Sequence, residues 1–178
     1  MASGMIPALK SKYPEAKIDW IVQSECKDLL SATSQINEVI VWPRKEWAHL
    51  FKQGNLPGLC SHLLAFTRKL RSRHYDLVID IQGLWKSAIW ALLSKGKQKI
   101  GLGSREGSGL VMDKVIYLDR KDASIASEYK LLLKEMGIEY KDYGLGIQVF
   151  AEDVQIAKEK LAKELGNKKY IAVCPFTT

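Results

Sequence analysis

The sequence predicts an α/β domain built on a doubly wound, mostly parallel sheet. Segments of strand and helix character alternate through most of the 178 residues. One of them, Asp76-Leu-Val-Ile-Asp-Ile81, is a near-continuous apolar run closed by Gln82-Gly83 and followed by a helical pattern, as expected of a strand buried on both faces of a parallel sheet. Composition agrees. With 47% hydrophobic residues, and 13 Gly and 5 Pro in no tract, the chain has ample material for a core and no disordered or collagen-like signature.

The elements follow from period and from their stops. Residues 5–12 read as a helix ended by Tyr13-Pro14, and 17–23 as a strand in which Ile18, Trp20 and Val22 alternate with their neighbours. A short helix over 24–31 leads to a strand at 38–42, closed by Pro43. Over 59–71, Leu59, Leu63, Phe66 and Leu70 share a helix face, and Arg68, Lys69 and Arg71 sit at the end where cations suit the dipole. After the 76–81 strand come a helix at 85–93, a strand at 99–102, a flexible Gly/Ser-rich loop at 103–109 and a strand at 114–118. Helices at 124–136 and 152–165 are stopped by Gly137 and Gly166, and 170–174 reads as a last strand. A doubly wound domain opens with a strand; this sequence opens inside a helix and closes where a βα loop is due, so both ends read as cuts.

Net charge is +7, and residues 41–105 alone hold 12 Lys and Arg against three acids. That excess predicts a positive face for phosphates, in nucleic acid, lipid head groups or a phosphorylated sugar. No apolar run approaches the ~18 residues of a spanning helix and no signal-peptide pattern opens the chain, so a cytosolic protein is expected. Cys26, Cys60 and Cys174 lack CxxC spacing and His49, His62 and His74 make no HxxxH pair, which argues against a disulfide scaffold or a zinc site. Gly101-Leu-Gly103-Ser-Arg-Glu106 falls short of a dinucleotide fingerprint, because Glu106 replaces the third glycine and a strand follows. Trp20, Trp42, Trp85 and Trp90 fall on strands and helices and read as packing rather than base-stacking.

The segment Asp80-Ile-Gln-Gly-Leu-Trp-Lys-Ser87 lies where open α/β sheets bind ligands, at a strand's C-terminal end running into a helix N-terminus. Gly83 permits a tight turn, and Lys86 and Ser87 could donate to an anion beside the first helical amides. Equally, Asp80 and Gln82 could serve only the turn's own backbone, with Lys86 solvated.

At these residues the chain resembles glycosyltransferase family 9, the ADP-heptose:lipopolysaccharide heptosyltransferases, most nearly the heptosyltransferase I branch. Residues 75–88 are similar to the family's "YD-x-VID-x-QGL-x-KSA" segment, and residues 1–20 to its "P-ALR-x-x-YP-x-A-x-IDW" opening. The resemblance implies a GT-B enzyme of two Rossmann-like domains, acceptor-side first and donor-side second. Residues 1–166 match the acceptor-side domain without its first strand, and 167–178 begin the segment leading to the donor domain.

By the same resemblance, Arg105 belongs to an acceptor-side loop, and Arg44 and Lys45 to a basic cluster facing acceptor phosphates and carboxylates. With Gln82, Lys86 and Ser87 these form the expected acceptor site, while Thr177 and Thr178 match a pair that contacts the donor. The general base is an Asp in a loop upstream of Met1, so no catalytic residue is expected within the chain. Implied partners are a Kdo-containing lipid A acceptor, ADP-heptose as donor substrate with no cofactor or metal, and the inner leaflet of the inner membrane, peripherally; no nucleic acid is expected. The chain alone is expected to bind acceptor and transfer nothing. The rival reading is a non-catalytic anion- or nucleic-acid-binding α/β module.

Overall fold

Local chemistry sets most element boundaries in the computed structural model, which describes residues 2–117, 126–140, 142–166 and 168–171. α1 (Met5–Lys12) follows a short helical turn at Ala2–Gly4 and ends at Tyr13, before Pro14. β1 (Asp19–Gln23) leads through a turn at Ser24–Cys26 into α2 (Lys27–Ser31), so the expected helix over 24–31 is split. β2 (Glu38–Trp42) stops at Pro43, and α3 (Arg44–Lys52) follows at once. The sequence predicts no helix at 44–52, although Trp47, Leu50 and Phe51 recur at helical spacing and Glu46 and Lys52 suit its two ends. α4 (Leu56–Arg71) starts three residues before the apolar face does, because Asn55 Oδ1 accepts the Gly58 amide at 3.0 Å and Pro57 sits in the first turn.

The second half matches expectation more closely. β3 (Leu77–Asp80), α5 (Trp85–Leu93), β4 (Gln98–Leu102) and β5 (Lys114–Ile116) fall where the sequence placed them, as do α6 (Ser127–Glu135) and α7 (Ala151–Leu165). Gly137 and Gly166 leave the last two helices at φ +66° and +58°, as their stop role requires. Tyr170 and Ile171 carry no strand, and the rest of the expected 170–174 strand, with Thr177 and Thr178, lies outside the described residues.

All pairing is parallel, but the described residues form two sheets rather than one. β1 pairs β2 with Ile21 opposite Ile40, and β3, β4 and β5 pair in that order with Ile79 opposite Ile100 and Gly101 opposite Val115. β1 and β3 each keep one edge without a ladder partner among the described residues. Side chains bridge them instead: Tyr75 Oη donates to Asp19 Oδ2 at 2.9 Å, and Arg73 Nε lies 3.3 Å from the same oxygen. Parallel strands joined through intervening helices in both sheets are the connectivity of a Rossmann-like α/β fold. Burial follows position in each sheet: every residue of β1, an edge strand, is partly buried, whereas Ile100, Gly101 and Leu102 of the central strand β4 are buried.

Two cores result. One packs α1 and α6 on the larger sheet, through Met5, Ala8, Ile100, Leu102, Ile116, Leu132 and Leu133. The other joins the small sheet to α3, α4 and α5 through Ile40, Trp47, Phe66, Leu70 and Trp90. In it Trp90 meets Phe66, Trp47 and Trp42 edge-on at centroid distances of 4.9, 5.6 and 5.7 Å. At the foot of the strands Asp19, nearly buried, also takes Asn37 Nδ2 at 2.7 Å, while Glu38 pairs with Lys69 at 2.7 Å and with Arg73. Trp90→Ala is expected to cost about 3–5 kcal/mol, and Trp85→Ala, at an exposed position of the same helix, under about 1 kcal/mol, both read from urea denaturation midpoints.

Candidate functional site

The turn between β3 and α5 is organised by one buried carboxylate. Asp80, 5% exposed at the end of β3, accepts the Gln82 and Gly83 amides on Oδ1 at 3.0 and 3.3 Å. Its Oδ2 lies 3.0 Å from Ser87 Oγ, which in turn accepts the Leu84 amide at 3.3 Å and caps the helix from inside its first turn. Gly83 has φ +62°, and a Cβ there would stand 2.7 Å from the Leu102 carbonyl oxygen and 3.0 Å from that of Gly103. Only glycine fits this turn.

The Gly/Ser loop is anchored to the same point. The Gly83 carbonyl accepts the Arg105 amide and the Ser108 hydroxyl, both at 2.7 Å, and the Gly109 amide donates to Ser104 Oγ at 2.8 Å. The loop expected to be flexible is thus fastened by its backbone, with left-handed Gly103, Glu106 and Gly107 shaping it and a helical turn at Ser108–Val111 closing it. A short 3-10 turn at Ser108–Val111 stands between Gly101-Leu-Gly103 and β5, where the sequence predicts the strand directly after the loop.

Of the six expected acceptor residues, the structure brings Gln82, Lys86, Ser87 and Arg105 to one edge, at the C-terminal ends of β3 and β4. Ser87 and Asp80 spend their hydrogen bonds on the turn. Gln82, Lys86 and Arg105 are exposed, and neither cation has an ion pair among the described residues. Beside them α5 opens with amides that have no partner inside the helix. Two cations, an amide side chain and a helix N-terminus on one edge can hold an anion carrying sugar hydroxyls.

Arg44 and Lys45 lie at the same end of the other sheet, in the first turn of α3, and form a separate group. Lys45 Nζ is 2.5 Å from Glu25 Oε1, while Arg44 is exposed and unpaired among the described residues. Two surface hollows lie elsewhere, one bordered by Pro43, Trp47 and His62 and the other by Leu30, Thr33 and Asn37. The candidate site is therefore an open edge.

A sequence profile of glycosyltransferase family 9 (heptosyltransferase) matches residues 63–178. The chain belongs to this family. Lipopolysaccharide heptosyltransferase 3 of Escherichia coli K12 is 28% identical over 100 residues, 56% of this chain and 27% of that protein. The lipopolysaccharide core heptosyltransferase OpsX of Haemophilus influenzae is 25% identical over 118 residues, 65% of this chain and 30% of that protein. Among solved structures, a family 9 glycosyltransferase of Veillonella parvula superposes with a TM-score of 0.75 at 20% identity, covering 92% of this chain and 45% of its own. Escherichia coli heptosyltransferase WaaC, solved with ADP-2-deoxy-2-fluoro heptose, gives 0.65 at 24% identity, covering 82% and 48%. The chain thus spans under a third of these curated relatives and about half of the solved ones, whose likeness establishes the fold.

Two outcomes follow from the geometry. Gly83→Ala forces a left-handed alanine and should cost about 1–3 kcal/mol from backbone strain alone, with faster hydrogen exchange at the Arg105 amide as the loop detaches. The Lys45 ammonium, helped by a hydrogen bond from the Glu25 backbone amide, holds the Glu25 carboxyl at about 2 against the usual 4.5. A lowered carboxylate pKa stabilises the fold above pH 4.5 and loses that contribution as pH falls through about 2. Lys45→Met should move the Glu25 carboxyl back towards 4.5 in an NMR titration.

Proposed function

We infer that this chain is the acceptor-side part of a heptosyltransferase of lipopolysaccharide biosynthesis, carrying heptose from ADP-heptose to the Kdo/lipid A inner core at the cytoplasmic face of the inner membrane. The observation that carries this reading is the unpaired group Gln82, Lys86 and Arg105 at the strand ends of a chain that belongs to glycosyltransferase family 9.

In such a transfer the acceptor hydroxyl oxygen bonds to the anomeric carbon as the bond from that carbon to the β-phosphate oxygen breaks, with inversion. ADP leaves with the electron pair, and the hydroxyl proton passes to a base that the family resemblance puts upstream of Met1. The work of this chain is positioning. Lys86, Arg105 and the opening amides of α5 bind acceptor carboxylates and phosphates, Gln82 orients a sugar hydroxyl, and the separate Arg44–Lys45 group meets a more distant acceptor phosphate or carboxylate, with the Lys45–Glu25 pair opening to release the ammonium. Thr177 and Thr178 would meet the donor. Holding the acceptor still supplies the orientation that a bimolecular displacement otherwise lacks.

Calorimetric titration with a deacylated, Kdo-containing lipid A oligosaccharide tests this. Binding should weaken about tenfold in Arg105→Ala and in Lys86→Ala, with no ADP released from ADP-heptose by the 178-residue chain alone. Equal affinity of both variants for the oligosaccharide, or tighter salt-dependent binding to generic duplex DNA, would sink the acceptor assignment.

A further inference from the structure

We propose that the outer face of α4 and α5 docks on an anionic phospholipid bilayer. The biological sense of this surface rests on the acceptor reading above, since a lipid-linked acceptor lies in such a bilayer, but its residues are largely separate.

Trp85, Ile89 and Leu92, four and three residues apart on α5, form one stripe and are 39%, 42% and 48% exposed. Ala88, Trp90 and Ala91 fill the buried side of the same helix, so the stripe faces outward. Arg71 Nε donates to the Leu93 carbonyl at 3.1 Å and brings α4 alongside. Leu64, two turns before Arg71 on that side of α4, is 56% exposed. On the other flank the turn at Ser108–Val111 packs against α5 and presents Leu110, 84% exposed.

Charge selects the occupant. α4 and α5 contain no Asp or Glu and carry Arg68, Lys69, Arg71 and Lys86. Lys69 pairs with Glu38, which leaves Arg68, Arg71 and Lys86 without an ion pair among the described residues. The loop between β4 and the turn at Ser108–Val111 adds one carboxylate, Glu106. A second copy seated on this face by two-fold symmetry would set these cations against one another, with no carboxylate from α4 or α5 to offset them. An anionic bilayer satisfies both halves: its phosphates meet the cations, and Trp85, Ile89, Leu92 and Leu110 enter the boundary between head groups and acyl chains.

Flotation of the 178-residue chain with vesicles of phosphatidylcholine alone, and with added phosphatidylglycerol, tests the proposal. Binding is expected only with phosphatidylglycerol and should weaken as salt rises. The triple variant Trp85→Ser, Ile89→Ser, Leu92→Ser should lower the affinity about tenfold or more. Arg68→Glu should lower it too, whereas Leu29→Ser, an exposed leucine on α2, should leave it unchanged. Because all these side chains are exposed, an unaltered thermal melt separates lost docking from lost folding. Quenching of Trp85 by brominated lipid, absent in Trp85→Phe, reports the contact directly. The proposal is overturned if phosphatidylglycerol vesicles do not bind, if the triple variant binds them equally, or if the face mediates a dimer that the triple variant abolishes. Titration with the soluble oligosaccharide keeps the two readings apart: intact sugar binding without vesicle binding overturns only the docking face, and the reverse overturns only the acceptor site.

Discussion

The rings of Trp42, Trp47, Phe66 and Trp90 are what keep two sheets with no shared backbone hydrogen bond in one structure. Trp42 comes from the small sheet, Trp47 from the helix that follows it, Phe66 from the crossover helix α4, and Trp90 from α5 on the larger sheet. Their edge-to-face contacts link β2 and α3 to α4 and α5. The arrangement has a cost, since the indole N–H groups of Trp42, Trp47 and Trp90 are buried without partners. It is offset by the apolar area of three indoles and a phenyl ring, and reinforced at the strand feet by the polar cluster around Asp19 and Glu38. There burial and the Asp19 carboxylate raise the Tyr75 phenol well above its usual value.

That packing sets where the candidate site stands. α5 is held from behind by Trp90 and from its N-terminal end by Asp80, so Lys86 projects from a helix with both ends of its position determined. Because Asp80 and Ser87 satisfy the turn internally, the neighbouring Gln82, Lys86 and Arg105 need satisfy nothing within the protein. Buried polar groups build the edge and exposed ones remain for a ligand. The same division explains the outer face of α5, where Trp90 is committed to the core and Trp85, five residues earlier, is not.

The sequence carried α1, β2, β3, α5, β4 and α7 to within a residue or so, since in each a run of one period ends at Pro, Gly or a charged cluster. α3 was illegible for the opposite reason: nine residues with only Trp47 buried present too little apolar periodicity to stand out between Pro43 and Asn55. The start of α4 is set by the Asn55 cap and Pro57, three residues ahead of the apolar face that begins at Leu59. In the site, Gln82-Gly83 and Lys86-Ser87 were visible as a strand-to-helix turn. That Ser87 and Asp80 serve each other, and that Arg105 is brought in by its amide on the Gly83 carbonyl, required distances across residues far apart in sequence.

What the sequence by itself determined is therefore the local pattern and its charge: alternating elements, the positive middle segment, and a glycine where only a left-handed turn closes β3 onto α5. Those depend on side-chain period and backbone sterics, which act over a few residues. The tertiary structure alone decided that the strands fall into a pair and a triplet, that Trp90 is core while Trp85 is surface, and which polar groups are left without a partner. Each of these is settled by contacts between segments 20 or more residues apart, such as Trp42 with Trp90 and Gly83 with Ser108, and such contacts leave no trace in local period.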